Sequence, residues 1–465
     1  VADNIVAQAR RHARSLTADL FAGCAIGAVV GVGARAINDV AGSGGAVDDP
    51  DVGVAIEFGI AQTAKRIDFI ITGEGLDKSS KVIIVELKQW ERARRTAKDG
   101  IVVTRMSGGE QETSHPSYQA WSYAALLQGF NEAVYEGGLT LQPCAYLHNY
   151  VADNELTHNF YRHYVERAPV FLKGEAERDK LRNFIKSHVR FGDRGRAIYL
   201  IENGRIRPSK MLADSVNRML RGNIEFVLID EQKVAYEAAL ALAKRSTEVN
   251  KNVLIIEGGP GTGKSVLAIN LLVALTKLGL VCKYVSKNAA PRSVYESKLT
   301  GIPRRTEIVN LFSGSGSFTS TSANAFDALI VDEAHRLNEK SGFYGNLGEN
   351  QIKEIINATK FSVFFIDEDQ RVTLKDIGRK AAIEEWAGTL GAHVSTLELA
   401  SQFRCNGSDG YLAWLDDILG IRATANRTFD KGDFDFRVIE TPGELRELIR
   451  AKNKENNNCL LYTSP

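Results

Sequence analysis

The octapeptide GGPGTGKS, Gly258 to Ser265, constrains the fold more than any other stretch. It lies between the apolar run NVLII and the apolar, helix-patterned run VLAINLLVALTKL. A hydrophobic strand that turns through glycines straight into a helix predicts a parallel α/β sheet. The spacing is G-x-x-x-x-G-K-S, in which backbone N–H groups wrap a phosphate chain at a helix N-terminus. Gly258, Gly259, Pro260, Gly261, Thr262 and Gly263 would form the cradle. Lys264 would reach the β- and γ-phosphates and Ser265 would ligate Mg²⁺, so ATP and Mg are the expected cofactors.

Further along, FDALIVDEAHRL ends a second hydrophobic strand in Asp332 and Glu333. Asp332 would hold Mg²⁺ and Glu333 would orient or deprotonate the attacking water. VCKYVSK and FSVFFIDE supply further strands, whereas the Ser/Gly/Thr-rich FSGSGSFTSTSANAF reads as a flexible loop.

A second puzzle lies in VIIVELKQW, Val82 to Trp90, a strand-like apolar run that contains Glu86 and Lys88. Charges are costly in a core unless paired or metal-bound. Residues two apart face the same side of a strand, so Glu86 and Lys88 point together. The preceding strand, KRIDFIITG, brings Asp68 within reach if the two form a hairpin. Two carboxylates can bind Mg²⁺, which lowers the pKa of its water and polarises a phosphodiester; a lysine steadies the developing charge. The competing reading is an ion pair on an edge strand. Gln119 and Tyr123, in SYQAWSY, share one helix face. Glu57, on the first strand, is a further candidate ligand. His115 and His148 read as structural.

The rest of the composition mainly excludes. The 465 residues allow roughly two to four domains. A net charge of +1 gives no global argument for a nucleic-acid partner. The five cysteines are scattered without a C-x-x-C pair, which fits a reducing compartment. No apolar run of about 18 residues predicts a membrane span. FAGCAIGAVVGVGA is too broken by glycine for that role, and the expected location is cytoplasmic.

These motifs carry a resemblance. Asp68 followed by Glu86-x-Lys88 resembles the PD-(D/E)-x-K nuclease core, and Gln119-x-x-x-Tyr123 resembles RecB-like nucleases, although those usually place the extra acid on a helix and not, like Glu57, on a strand. FVLIDEQKVAY, FFIDEDQRV and LELASQFRCNGSDGYLAWL resemble superfamily 1 helicase motifs. That resemblance implies that Gln232 reads the adenine edge. It also implies that Asp367 and Gln370 sense the γ-phosphate, and that Arg404 is an arginine finger from a second lobe. Taken singly, Gln232 also fits a core-edge amide, Asp367 a helix cap and Arg404 a surface ion pair. The third motif departs from the wider pattern, since a glycine often precedes the aspartate. Together with YLHNY, the set resembles the Schlafen group 3-like DNA/RNA helicase family of bacteria.

The resemblance implies an α/β chain with a restriction-endonuclease-like domain over 1–175, a helical connector over 176–222, a RecA-like ATPase lobe with a parallel sheet over 223–400, and an incomplete second lobe over 401–465. The implied function is an ATP-dependent helicase or translocase fused to a Mg-dependent nuclease, acting on DNA or RNA, including single strands, in nucleic-acid restriction or phage defence. Two alternatives stay open. One is an ATP-binding switch that gates the N-terminal domain without unwinding. The other is a binding module that has lost its nuclease activity. Oligomeric state is open. The terminal NNNCLLYTSP resembles translated adapter sequence. With its second lobe cut short, the chain is expected to bind ATP and hydrolyse it poorly.

Overall fold

In a computed structural model, the residues described are 51–60, 65–106, 108–204, 215, 218–219, 223, 225–290, 293–295, 311–342, 345–400, 409–424 and 437–455. The N-terminal half is built on β1 (Gly53–Gly59), β2 (Arg66–Glu74) and β3 (Ser80–Lys88), a small sheet of β4 (Ala93–Arg95), β5 (Ile101–Met106) and β6 (Gly109–Ser114), helix α1 (Pro116–Phe130), β7 (Thr140–Leu147), β8 (Val170–Phe171), and helices α2 (Glu175–His188) and α3 (Arg196–Glu202). The main sheet runs β1-β2-β3-β7-β8. Its first three strands form an antiparallel meander, and β7 then returns parallel to β3 by way of α1.

Strand β3 is apolar on both faces, and period two sorts its side chains. Ile83 and Val85 pack with Phe69, Ile71 and, from α2, Leu181 and Ile185. Val82 and Ile84 face the other way, with Tyr123 and Leu127 of α1 and Ala197 and Ile201 of α3. Helices α2 and α3 therefore close the N-terminal core, where the sequence suggested a connector. The small β4-β5-β6 sheet is likewise a finding, because its outer strands, ARR and GEQETS, lack the apolar alternation that marks a half-buried strand.

The second half comprises α4 (Asp230–Arg245), β9 (Asn252–Gly258), α5 (Lys264–Lys277), β10 (Cys282–Val285), β11 (Phe312–Ser313), β12 (Phe326–Val331), α6 (Gln351–Ala358), β13 (Thr359–Ile366), α7 (Lys380–Thr389), β14 (His393–Leu399), α8 (Asp409–Ile418) and α9 (Pro442–Glu455). Six parallel strands run β11-β10-β12-β13-β9-β14. Helices cover both faces, which is why the strands are near-continuous apolar runs. Leu254, Ile256, Ile330 and Phe365 pack against Ala235 and Ala239 of α4 and Leu267 and Leu271 of α5. Val253, Ile255, Val331 and Phe364 pack against Ile352 and Ile355 of α6 and Ile383 of α7.

The Ser/Gly/Thr-rich segment expected to be a flexible loop is structured. It forms β11 and a 3₁₀ turn over Ser315–Phe318, and Phe318 is buried in the second core. One aromatic anchor outweighs the loop-like composition around it.

The loop after β13 is pinned by the buried carboxylate of Asp376. Its Oδ2 accepts from the N–H groups of Val372 and Thr373, both at 2.9 Å. Lys287 Nζ lies 3.0 Å and Arg336 Nε 3.1 Å away. Burial disfavours the charge, but the Thr373 N–H, Lys287 and the Val372 N–H outweigh it and hold the carboxyl well below the usual range. A folded pKa below the unfolded one means that the unfolded chain binds more protons. The stabilisation is therefore full at neutral pH and is lost as pH falls below about 4. Asp376→Asn is expected to cost about 2–4 kcal/mol of stability at pH 7 and to flatten the acid limb of the pH–stability curve. Denaturant unfolding across pH measures both, and unaltered curves would show that the carboxylate contributes nothing net.

Among the described residues, no helix is long and apolar enough to cross a membrane.

Candidate functional site

The phosphate-site residues converge at the carboxyl ends of the parallel strands, where α/β sheets place ligands. Strand β9 leads into the glycine loop, and α5 begins at Lys264. Gly261 and Gly263 have φ of +79° and +85°, a conformation that glycine adopts at no steric cost. A side chain at Gly263 would also collide with Gln232, whose Nε2 lies 2.3 Å from the position of an added Cβ. Lys264 is buried, with Nζ 2.5 Å from the Gly258 carbonyl and 2.8 Å from that of Gly259.

Ser265 Oγ donates to Asp332 Oδ2 at 2.8 Å, and Tyr284 OH donates to the same oxygen at 2.6 Å. Asp332 directly follows β12 and is buried. Burial first, and then the neighbouring charge of Glu333, raise its pKa against these hydrogen bonds. Glu333, with φ +53°, lies 3.0 Å from His335. Asp367, just past the end of β13, lies 3.9 Å from Lys264 Nζ, and its Oδ2 is buried without a hydrogen-bond partner. Gln370 is half-buried in the short turn that follows. Glycine-loop N–H groups, a lysine, and a hydroxyl beside a buried carboxylate are the donor set that a magnesium nucleotide requires.

Gln232 reaches the same loop from α4. Its Nε2 donates to the Thr262 carbonyl at 3.0 Å, and its Oε1 accepts from the Ile229 N–H at 3.3 Å. Arg404 lies outside the described residues.

The N-terminal residues also come together. Period two puts Glu86 and Lys88 on the Val82–Ile84 face, beneath α1. Lys88 Nζ pairs with Glu86 Oε1 at 2.7 Å. Asp68 lies one step beyond the Phe69–Val85 pair, opposite Glu86, and its Oδ2 accepts from the Leu87 N–H at 2.7 Å. Glu86 Oε2 is buried and has no hydrogen-bond partner. Burial raises the Glu86 carboxyl to about 8, with the charge of Asp68 adding to the effect and Lys88 opposing it. Burial also raises Asp68. Lys88 is pulled down by burial, but Glu86, Asp68 and Asp230 together hold it above the ordinary value.

Gln119 Nε2 donates to Tyr123 OH at 3.0 Å. Burial first, and then the Glu86 and Asp230 carboxylates, push the Tyr123 hydroxyl far up, so it stays a donor. Glu57 has φ +51°, is half exposed, and lies 3.9 Å from Arg66. His115 is structural, since its Nδ1 caps α1 by accepting from Ser117 N–H at 3.2 Å.

Among the described residues, no three Asp, Glu, His or Cys side chains form a metal-holding group, so Glu57 does not complete a cage with Asp68 and Glu86. Magnesium commonly binds through one or two carboxylates, with water and substrate phosphate supplying the rest. The orphaned oxygen of Glu86 beside Asp68 fits that mode.

Three engaged residues escaped the sequence reading. Tyr284 holds Asp332. Asp230 accepts from Tyr123 OH at 2.8 Å and pairs with Lys65 at 2.9 Å. Asp230 stands two residues before Gln232, and that adjacency was the available signal.

Residues 251–464 match the Schlafen group 3, DNA/RNA helicase domain. The second half of the chain is thus a P-loop nucleotide-binding unit similar to that domain. No curated protein matches the chain. Among solved structures, a DNA replication initiation factor is 15% identical over 51% of this chain and 64% of its own, with a TM-score of 0.23. The replication initiator DnaA bound to AMPPCP and single-stranded DNA is 16% identical over 50% and 61%, with a TM-score of 0.21. AMPPCP-bound DnaA from Aquifex aeolicus is 17% identical over 51% and 69%, with a TM-score of 0.23. The match thus spans less than two thirds of the first two of these proteins, and at such TM-scores the likeness carries no argument here.

Proposed function

We propose that this chain is an ATP-driven helicase or translocase on DNA or RNA whose N-terminal domain is a Mg-dependent nuclease of the PD-(D/E)-x-K type, serving nucleic-acid restriction or phage defence. The observation that carries the motor reading is the meeting of Lys264, Ser265, Asp332 and Asp367 at adjacent strand ends. Magnesium there would neutralise charge on the phosphates. Ser265 and Asp332 would hold it, Glu333 would orient the attacking water, and Asp367 would face the γ-phosphate. The nuclease reading is supported by Glu86 Oε2, a buried acceptor with no donor, beside Asp68 and Lys88. The proposed cut adds water oxygen to phosphorus and breaks one phosphorus–oxygen ester bond, and the departing oxygen takes a proton. Asp68 and Glu86 would hold the metal, and the Lys88 ammonium would lie against the developing negative charge.

The test is ATP turnover by the full-length protein, with and without single-stranded DNA or RNA, together with strand separation. Asp332→Asn is expected to lower turnover by about 10² or more while a nucleotide still binds. Turnover indifferent both to this change and to nucleic acid would refute the motor.

A second reading is an ATP-binding switch that gates the N-terminal domain without unwinding. It is favoured by one observation, that α4 touches both sites. ATP-dependent cleavage without strand separation would select it.

A further inference from the structure

The first turn of α4 carries four consecutive polar side chains, and all four are engaged. Asp230 accepts from Tyr123 OH and pairs with Lys65. Glu231 also pairs with Lys65, at 2.8 Å. Gln232 is bonded to the P-loop carbonyl of Thr262. Lys233 is buried and pairs with Asp99 at 3.0 Å and Glu237 at 2.8 Å.

The turn is also clamped from the N-terminal side. Tyr118 OH donates to the Leu228 carbonyl at 2.5 Å, and Tyr164 OH donates to Asp99 at 2.6 Å. Asp230 itself has φ +38°. For a residue other than glycine, such a backbone persists only where its surroundings hold it. Asp230 and Gln232 lie two residues apart in the first turn of α4, so a shift of Gln232 reaches Asp230 along a short stretch of backbone.

Asp230 does not complete a metal cage. Its effect on the N-terminal site runs through its neighbours. It fixes the hydroxyl of Tyr123, which packs on the Val82–Ile84 face of β3 and feels the Glu86 charge, and its own charge is felt at both Glu86 and Lys88. We propose that Asp230 is a positioning residue for the Asp68–Glu86–Lys88 site, supplied by the helix that buttresses the P-loop, so that nucleotide on the P-loop changes the geometry of that site. This rests on the nuclease reading for its chemistry, but the coupling is a physical property that can be measured without cleavage.

The experiment has two readouts on the 465-residue chain. The first is hydrogen–deuterium exchange of segments 84–90 and 117–125, with and without the β,γ-methylene analogue of ATP. The second is Mg²⁺-dependent cleavage of a labelled single-stranded oligonucleotide under the same two conditions. In the wild type, the analogue is expected to change exchange in both segments and to alter the cleavage kcat by about fivefold or more, within the usual range of site-to-site coupling, with KM little changed. Asp230→Asn keeps the shape of the side chain but removes its charge. In that variant the exchange response is expected to shrink and the cleavage response to fall to near unity. Asp230→Glu is expected to restore part of both, which a purely structural defect would not allow.

No exchange response in the wild type overturns the coupling even if cleavage is robust. A response as large in Asp230→Asn as in the wild type shows that Asp230 does not carry it. An exchange response without any cleavage leaves the coupling standing and removes the nuclease reading.

Discussion

Lys264→Ala is expected to abolish tight ATP binding, with an affinity loss of roughly 10²–10⁴-fold. The ammonium lies over the P-loop carbonyls of Gly258 and Gly259, where the phosphate chain would replace backbone oxygens as its partner. Charge-assisted hydrogen bonds are worth about 1.5–3 kcal/mol each, and two lost phosphate contacts give the range stated. Alanine also strips one neighbour from Asp367, whose carboxyl burial already raises against the pull of Lys264. The change should therefore disturb the γ-phosphate end more than the α-phosphate end, and ADP affinity should fall less than ATP affinity. Titration of a fluorescent ATP analogue, with thermal unfolding as a folding control, measures this. Wild-type affinity in a folded variant would remove Lys264 from the site.

Glu86→Gln and Lys88→Ala are each expected to lower Mg²⁺-dependent cleavage by 10³ or more and to leave equilibrium ATP affinity within about twofold. A bound metal contributes several kcal/mol of transition-state stabilisation, and each 1.36 kcal/mol is a factor of ten in rate. Both variants should also lose stability. Glu86 and Lys88 are paired at 2.7 Å in a buried position, and breaking a buried pair typically costs about 3–5 kcal/mol. Lys88→Ala leaves a carboxyl that burial already drives towards its neutral form, and protonation offsets part of that cost. Glu86→Gln leaves the Lys88 ammonium with Asp68 and Asp230 as its other counter-charges, so both variants should melt below the wild type while sharing the loss of cleavage. Wild-type cleavage by both variants would make the pair a structural brace and end the nuclease reading.

Much of both sites was legible because each motif is local. The glycine spacing at Gly258–Ser265 predicts its own backbone, and strands that end in Asp332 and Asp367 are visible as apolar runs closed by acids. Period two placed Glu86 and Lys88 on one face, and a short hairpin brought Asp68 opposite. The segment around Phe318 was misread because composition averages away a single anchoring ring. The small β4-β5-β6 sheet is not legible in the sequence because its outer strands are polar and charged, and Arg94 of β4 meets Glu110 of β6, 2.8 Å away, from the far side of β5.

The sequence by itself determined the P-loop unit, the faces of its strands, and the pairing of charges inside β3. These follow from steric and hydrophobic rules that act over a few residues. Only the tertiary structure decided that α2 and α3 belong to the N-terminal core, and that Asp230 meets Tyr123 and Lys65 while Gln232 meets Thr262. Periodicity states which way a side chain faces along its own element. It does not state which distant element will cover that face, because that choice is made by the packing of whole surfaces against one another.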